Sequence, residues 1–202
     1  MYIPSFNQFP NQREAISFMQ RYSFATIVTA DNDLPVATHL PFLVEQRDDK
    51  VVLLSHFAKA NPQASSLIGK PVLVIFTEPH AYISPANYEK TTDVPTWNYL
   101  AVHAYGKATL LTEGEQTANL LAKTINNYET DYLQNWNSLT ADYRQKMMKG
   151  IVAFEIVIED LQGKQKLSQN RSAIEKENII NTLGKSEDAN EREIANYMAK
   201  LK

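Results

Sequence analysis

The sequence of 202 residues contains no cysteine, so it can form no disulfide and offers no thiolate for catalysis or metal binding. Only 6 glycines are present, and neither a GxGxxG motif nor a Walker loop occurs, which excludes the Rossmann and P-loop types of nucleotide site. The apolar runs VVLL and VLVIF have the length of strands and are far too short to cross a bilayer. The N-terminal MYIPSFNQFP lacks the basic start and apolar stretch of a signal peptide, so we expect a cytoplasmic protein with no membrane association.

The chain also lacks an excess of positive charge. Its formal net charge is −3, which argues against a broad nucleic-acid surface because such surfaces depend on clustered lysine and arginine. The 4 histidines form no HxH or HxxxH pair, so no metal site is predicted. No serine lies in the strand-turn-helix setting of a hydrolase nucleophile, which makes a Ser-His-acid hydrolase a weak hypothesis.

Hydrophobic patterning predicts a mainly β protein with helices, of the α+β class. Six strands are expected at residues 23–30, 35–46, 50–57, 71–76, 99–111 and 152–163. Helices are expected at residues 11–21, from Asn61 towards Gly69, and at 113–129, 138–149, 174–183 and 190–201. Short hairpins between strands, without regular alternation of strand and helix, favour a small six-stranded antiparallel barrel over a doubly wound sheet.

The segment VPTWNYLAVHAYG, residues 94–106, leads from a stiff proline turn into a strand. Trp97, Asn98 and Tyr99 stand side by side there and could give a flat heteroaromatic ligand both ring contacts and amide contacts. Taken alone, the segment is more typical of a core or an interface, with Trp97 and Tyr99 as ordinary packed aromatic side chains.

The segment SHFAKANPQ, residues 55–63, joins the end of a predicted strand to the start of a predicted helix. Asn61 can cap that helix with Pro62 at its first position, and the free N–H groups of a helix start favour phosphate. Lys59 would add a full positive charge two residues earlier. The spacing fits a phosphate site and a solvated lysine beside a plain cap equally well.

The segment KLSQNRS, residues 166–172, offers a similar set of cations, amides and hydroxyls between a strand and a helix. By itself it fits a solvated linker better than a binding site. His39 and His56 lie on neighbouring predicted strands and are interpreted as donors to a ligand or as bonded histidines of a sheet.

Together these motifs, with MYIPSFN, ATHLPFLV and PHAYISP, closely resemble the PaiB-type family of FMN-binding negative transcriptional regulators. The resemblance covers roughly residues 1 to 183. It implies an FMN-binding split barrel, like that of the pyridoxamine-phosphate-oxidase-type flavoproteins, which usually forms a homodimer with FMN at the subunit interface. We accordingly expect a split-barrel domain at residues 1–170 and a C-terminal helical extension packed on it at residues 171–202.

Carried over residue by residue, the resemblance implies a set of cofactor-binding positions. His39 and Leu40 would lie beside the flavin ring, and Trp97, Asn98 and Tyr99 would line its site. The resemblance assigns the ribityl and phosphate end of FMN to Ser55, His56, Lys59, Ala60 and Asn61. It assigns further contacts, made from the second subunit, to Lys166, Ser168, Gln169 and Asn170.

Three functions are compatible with these residues. The first is a dimeric FMN-binding regulator, and the second is an FMN-dependent oxidoreductase that takes electrons from NAD(P)H for a small-molecule substrate. The residues that hold the cofactor are the same in both, so the sequence does not separate them. The third, direct DNA binding by the C-terminal helices, is disfavoured because acidic residues outnumber basic ones there. The acids are Glu175, Glu177, Glu187, Asp188, Glu191 and Glu193, and the bases are Lys176, Lys185, Arg192, Lys200 and Lys202.

Overall fold

A computed structural model of the protein describes residues 1–31, 33–90 and 92–201. Asn32, at the centre of the predicted turn, and Lys202, in the predicted extension, lie outside the described residues. The strands are β1 (Phe24–Asp31), β2 (Leu34–Pro41), β3 (Leu43–Arg47), β4 (Lys50–Ala58), β5 (Pro71–Ile83), β6 (Thr96–Leu110) and β7 (Ile151–Lys166). The helices are α1 (Gln12–Arg21), α2 (Gly114–Tyr128), α3 (Tyr132–Ser138), α4 (Ala141–Met148), α5 (Ala173–Gly184) and α6 (Ala189–Lys200), with single 3₁₀ turns at Ser5–Asn7, Pro62–Ser66 and Pro85–Asn87.

The described strands form one sheet in the order β2-β1-β5-β6-β7-β4-β3. The fold class is confirmed, but the expected number of six strands is wrong, because the segment 35–46 forms two strands instead of one. β2 pairs antiparallel with β1, whereas β3 pairs antiparallel with β4. Proline at 41 has no N–H to continue a ladder, and the N–H of the buried Phe42 bonds the Ser23 carbonyl at 2.8 Å, so the chain changes partners at this point.

Strands β5 and β7 end several residues later than predicted. β5 continues to Ile83, past its predicted end at residue 76, with Ala81 and Ile83 buried in alternation. β7 continues to Lys166, so this lysine ends a strand and does not lie in a linker. The helix expected from Asn61 to Gly69 is only the 3₁₀ turn Pro62–Ser66, although Asn61 caps it as predicted.

The chain forms two compact units. The first unit comprises Met1–Ala15, Phe76–His103 and residues 162–201, and the second comprises Ile16–Ile75 and Ala104–Leu161. The second unit contains a hydrophobic cluster in which α2 packs against strands through Leu120. Its buried strand members are Leu43, Val52, Leu54 and Ala153.

In the first unit, α5 and α6 pack together through buried apolar side chains, among them Ile179, Leu183, Ile194 and Met198. The start of α5 is fixed by a capping box between Ser172 and Glu175. Arg171, just before it, bonds Asp93 at 2.7 Å and lies over the ring of Tyr88 at 3.7 Å. No helix among the described residues is long and apolar enough to span a membrane.

Candidate flavin site

His39 and Leu40 lie on β2, where alternation exposes the histidine and half-buries the leucine. The Nδ1 atom of His39 bonds the Thr26 hydroxyl at 2.8 Å across the β1–β2 pair. The exposed ring of Phe24 stacks on the imidazole, with ring centroids 6.3 Å apart and planes 28° from parallel. This surface of the hairpin therefore presents an oriented imidazole beside an apolar ring.

Ser55 and His56 are consecutive residues of β4 and face opposite sides of the sheet. Ser55 is buried and its hydroxyl donates to the Pro41 carbonyl at 2.7 Å, which ties β4 to the end of β2. His56 is half-buried, and this burial lowers the pKa of its imidazole. The ring is therefore neutral near pH 7 and can serve as one donor and one acceptor.

The segment from Lys59 to Asn61 turns away from β4, with its backbone held at both ends. The Lys59 N–H bonds the Gly150 carbonyl at 2.8 Å, and the Asn61 side chain accepts from the Gln63 N–H at 2.9 Å as an N-cap. Ala60, between them, is exposed. Because the capped turn is a 3₁₀ helix of 5 residues, its dipole adds little, and Lys59 supplies most of the positive charge.

The side chain of Lys59 makes no hydrogen bond or ion pair with any described residue. It lines a cavity of about 380 Å³ together with a second exposed lysine, Lys149, and with Thr112 and Gln145. Two ammonium groups and two neutral polar side chains around one cavity make this part of the second unit suited to a phosphate group.

Thr38 and Gln63 are polar residues of this region that the sequence interpretation left out of the site. The Thr38 hydroxyl bonds the Gln63 amide oxygen at 2.6 Å and accepts from the Asn61 amide at 3.1 Å. The buried Gln63 Nε2 also bonds the Val36 carbonyl at 3.0 Å. These bonds bring the β2 strand of His39 together with the Asn61 turn. Thr38 belongs to the segment ATHLPFLV and Gln63 to the segment SHFAKANPQ. Membership of these segments was the sequence signal that could have identified both residues.

In the first unit, β6 places Trp97 and Tyr99 on one side of the strand and Asn98 on the other. Trp97 is 51% exposed, and its ring lies 5.4 Å from that of His80 and 6.1 Å from that of Tyr82, centroid to centroid. An exposed indole supported by two rings is available for contact with a flat ligand.

Asn98, by contrast, is 0% exposed and faces the interior of the unit. Its Nδ2 donates to the Ser168 hydroxyl at 3.0 Å, and that hydroxyl donates to its Oδ1 at 3.1 Å. The same Nδ2 lies 3.5 Å from the sulfur of Met198 on α6. These contacts connect β6, the segment after β7 and the last helix.

The segment 166–171 forms a tight turn. Ser168 has φ of 58°, in the left-handed region, and the Arg171 N–H closes the turn on the Ser168 carbonyl at 3.0 Å. The Gln169 side chain bonds backbone groups on both sides, accepting from the Leu167 N–H and donating to the Gln165 carbonyl. Asn170 is exposed at its tip. The predicted linker is thus an ordered, hydrogen-bonded element.

Lys166 enters this turn from the end of β7. Its ammonium donates to the Thr96 hydroxyl, and burial together with the neighbouring ammonium of Lys164 lowers its pKa, against an opposing effect of Tyr99. The structure therefore brings Lys166 to the start of β6, where Trp97 and Tyr99 also lie.

Comparison with known proteins identifies the relatives of this chain. A family model described as "Putative FMN-binding domain" matches residues 1–160. The chain is 41% identical over 201 residues to the "Protease synthase and sporulation protein PAI 2" of Bacillus subtilis, covering 98% of this chain and 96% of that protein.

Two solved structures share the fold. The flavocytochrome Anf3 from Azotobacter vinelandii has a TM-score of 0.63 at 14% identity, covering 81% of this chain and 72% of that one. The FAD and heme binding protein from Mycobacterium smegmatis has a TM-score of 0.62 at 15% identity, covering 79% and 73%. At this identity the likeness bears on the fold, and it agrees with the split-barrel class that the family resemblance implied.

Proposed function

Because this chain belongs to the PaiB-type family of FMN-binding split-barrel proteins, we propose that it holds FMN at the interface of a homodimer and acts in regulation through the bound flavin. FMN is the cofactor assigned by family membership, and when bound it supplies electron- and hydride-transfer chemistry. The domain division at residue 170 and the cytoplasmic location stay predictions.

The observation that carries the cofactor site is the ammonium of Lys59, which pairs with no described residue and lies beside the Asn61 turn. We assign the phosphate of FMN to Lys59, Ala60 and Asn61, where a cation, an exposed backbone and a cavity also lined by Lys149 coincide. Ser55 and His56 lead into this turn from β4. The neutral imidazole of His56 suits the hydroxyl groups of a ribityl chain.

The ring system of FMN is assigned to the exposed aromatic and imidazole side chains. Trp97 and Tyr99 offer ring faces from one side of β6, and His39 and Leu40 offer an imidazole and an apolar contact from β2. Asn98 serves this site by its bonds to Ser168, which fix the strand that carries both aromatic rings.

The homodimer supplies the remaining contacts in this proposal. Lys166, Ser168, Gln169 and Asn170 form an ordered turn with a cation at its start and an exposed amide at its tip. We assign this turn to the FMN bound mainly by the other subunit. A rigid turn suits that role because little conformational entropy is lost when it meets a cofactor.

The regulatory part of the proposal rests on the relative from Bacillus subtilis, whose name links it to protease synthesis and sporulation. Regulation through the flavin, without direct DNA contact, fits the acidic balance of the C-terminal helices. FMN-dependent reduction of a small molecule by NAD(P)H is the alternative activity of the same site.

An absorption spectrum of the purified protein, before and after FMN is added and free flavin removed, tests this proposal. Retained flavin at one FMN per chain, with a dimer mass by light scattering, is the expected result. Bleaching of that flavin by NADH or NADPH would favour the oxidoreductase, and stable colour would favour the regulator. A monomer that retains no flavin would overturn the proposal.

A further inference from the structure

The last strand carries a second lysine, Lys164, two residues before Lys166 and on the same side of β7. Lys164 is 8% exposed, and its ammonium lies 5.2 Å from the centroid of the Tyr99 ring. The ammonium of Lys166 donates to the hydroxyl of Thr96, three residues earlier on the same strand β6. Both ammonium groups therefore lie against the first residues of β6, within the first unit.

Neither lysine has a negatively charged partner among the described residues. The Lys164 ammonium donates to the Tyr2 carbonyl at 3.1 Å and the Lys166 ammonium donates to the Thr96 hydroxyl, so both polar partners are neutral. Each ammonium has three N–H donors, of which one is used in these bonds. The remaining N–H donors make no hydrogen bond to any described residue.

Two partly buried ammonium groups with no negatively charged partner among the described residues destabilise the protein that carries them. Consistent with this cost, burial lowers the pKa of Lys166, and the charge of Lys164 lowers it further. A bound anion would satisfy the free donors and compensate both charges at once. Tyr99 and Thr96 border the same place with a ring face and a hydroxyl, so the ligand would meet polar and aromatic groups together.

We propose that Lys164 and Lys166 form a binding site for an oxyanion, the carboxylate or phosphate group of a second ligand that approaches the flavin. The assignment to a ligand of the flavin site rests on the proposed function, which takes Tyr99 as a neighbour of the flavin ring. The oxyanion site itself is independent of FMN. A small-molecule ligand that binds at these lysines would therefore carry a negative charge.

The experiment uses the full chain without FMN, with inorganic phosphate as the probe at constant ionic strength. Phosphate should raise the melting temperature of the wild-type protein. It should do the same for the control variant Lys50→Met, because Lys50 is an exposed residue of β4. Lys166→Met should weaken phosphate binding about ten-fold or more, the scale of a lost charge-assisted contact. Equal phosphate binding by Lys166→Met and Lys50→Met would overturn the proposal.

A second measurement covers the case in which Lys166→Met does not fold. In wild-type protein labelled at lysine, saturating phosphate should move the Nζ resonances of Lys164 and Lys166 and raise the pKa of Lys166, while Lys50 stays unchanged. Resonances of the two lysines that ignore phosphate would count against the site. A wild-type dimer that is lost in Lys166→Met would also count against the site. It would mean that the partner subunit, and no ligand, balances the charge of these lysines.

Addition of FMN separates the two possible sources of phosphate. If phosphate still moves the Nζ resonances of Lys164 and Lys166 in FMN-saturated protein, the lysine pair serves another ligand, as proposed. If FMN removes these shifts, the lysines hold the phosphate of the flavin itself and the proposal is wrong. Protein that binds phosphate at these lysines but retains no flavin would support the oxyanion site while refuting the proposed function.

Discussion

Asn98 and Ser168, 70 residues apart in the chain, exchange two hydrogen bonds in the interior of the first unit. Both side chains are buried, and the hydroxyl acts as acceptor from Nδ2 and donor to Oδ1. This pair holds the strand of the exposed Trp97 to the turn of Gln169 and Asn170. It links two parts of the proposed flavin site without presenting either side chain to a ligand.

We expect Ser168→Ala to lower the free energy of unfolding by about 1–3 kcal/mol, because it leaves the buried amide of Asn98 without its partner. Urea unfolding measures this change. Ser65→Ala is the matched control, since the exposed Ser65 hydroxyl bonds only the Pro62 carbonyl in its own 3₁₀ turn. Similar losses in the two variants would contradict the structural role of the pair.

Gly106 on β6 should not tolerate a side chain. A Cβ atom there would lie 2.9 Å from Cγ2 of Ile156 and closer still to the backbone carbonyl of Val157, which cannot move without disturbing β7. We expect Gly106→Ala to cost about 1–3 kcal/mol or more in unfolding free energy. Gly114→Ala, which meets nothing within 4 Å at the start of α2, should be neutral or stabilising.

Lys59→Ala should raise the Kd for FMN by about ten- to a hundred-fold, corresponding to about 1–3 kcal/mol for a charge-assisted phosphate contact. The unfolding free energy should stay nearly constant, because the Lys59 side chain bonds no described residue. Flavin fluorescence titration measures the affinity, with Lys50→Ala as the control. Unchanged FMN affinity would remove Lys59 from the phosphate site.

Acidification should destabilise the protein through His56. Burial lowers the pKa of this imidazole below its ordinary value of about 6.5, so below that pH the unfolded chain binds a proton that the folded chain does not. The stability contributed by neutral His56 is therefore present above pH of about 6.5 and is lost as the pH falls towards the folded-state pKa.

Unfolding by urea at pH 7.5 and pH 5.5 tests this dependence, and His56→Gln should show a smaller loss between the two than the wild-type protein. Burial also lowers the pKa of His103, so His103→Gln should remove a further part of the loss. An identical decrease in the wild-type protein and both variants would assign the acid sensitivity to other groups.

Much of the fold follows from local sequence. α5 and α6 begin and end within one residue of their predicted bounds, and in the structure Ser172 and Asp188 cap their first turns. The break at Phe42 was missed because its cause is an exchange of strand partners, which no local pattern records. α3 was missed as well, since Trp136 is its only buried side chain and gives no apolar stripe.

The candidate site was harder to predict than the fold. Alternation along β6 could have separated Asn98 from Trp97 and Tyr99, since neighbours on a strand face opposite sides. The contact of Asn61 with Thr38 spans 23 residues and depends on how the β1–β2 hairpin folds against the 3₁₀ turn. Lys164 follows the predicted end of the last strand at residue 163, and only the extension of β7 places it beside Tyr99.

The exposed indole of Trp97 gives the protein a built-in optical reporter. The chain has 2 tryptophans, and the other, Trp136, is only 8% exposed. Iodide should quench the red-shifted emission of Trp97 and leave the blue-shifted emission of Trp136 nearly intact. A ligand seated against Trp97 would protect that component from iodide, so occupancy of the ring site can be followed in the unlabelled protein.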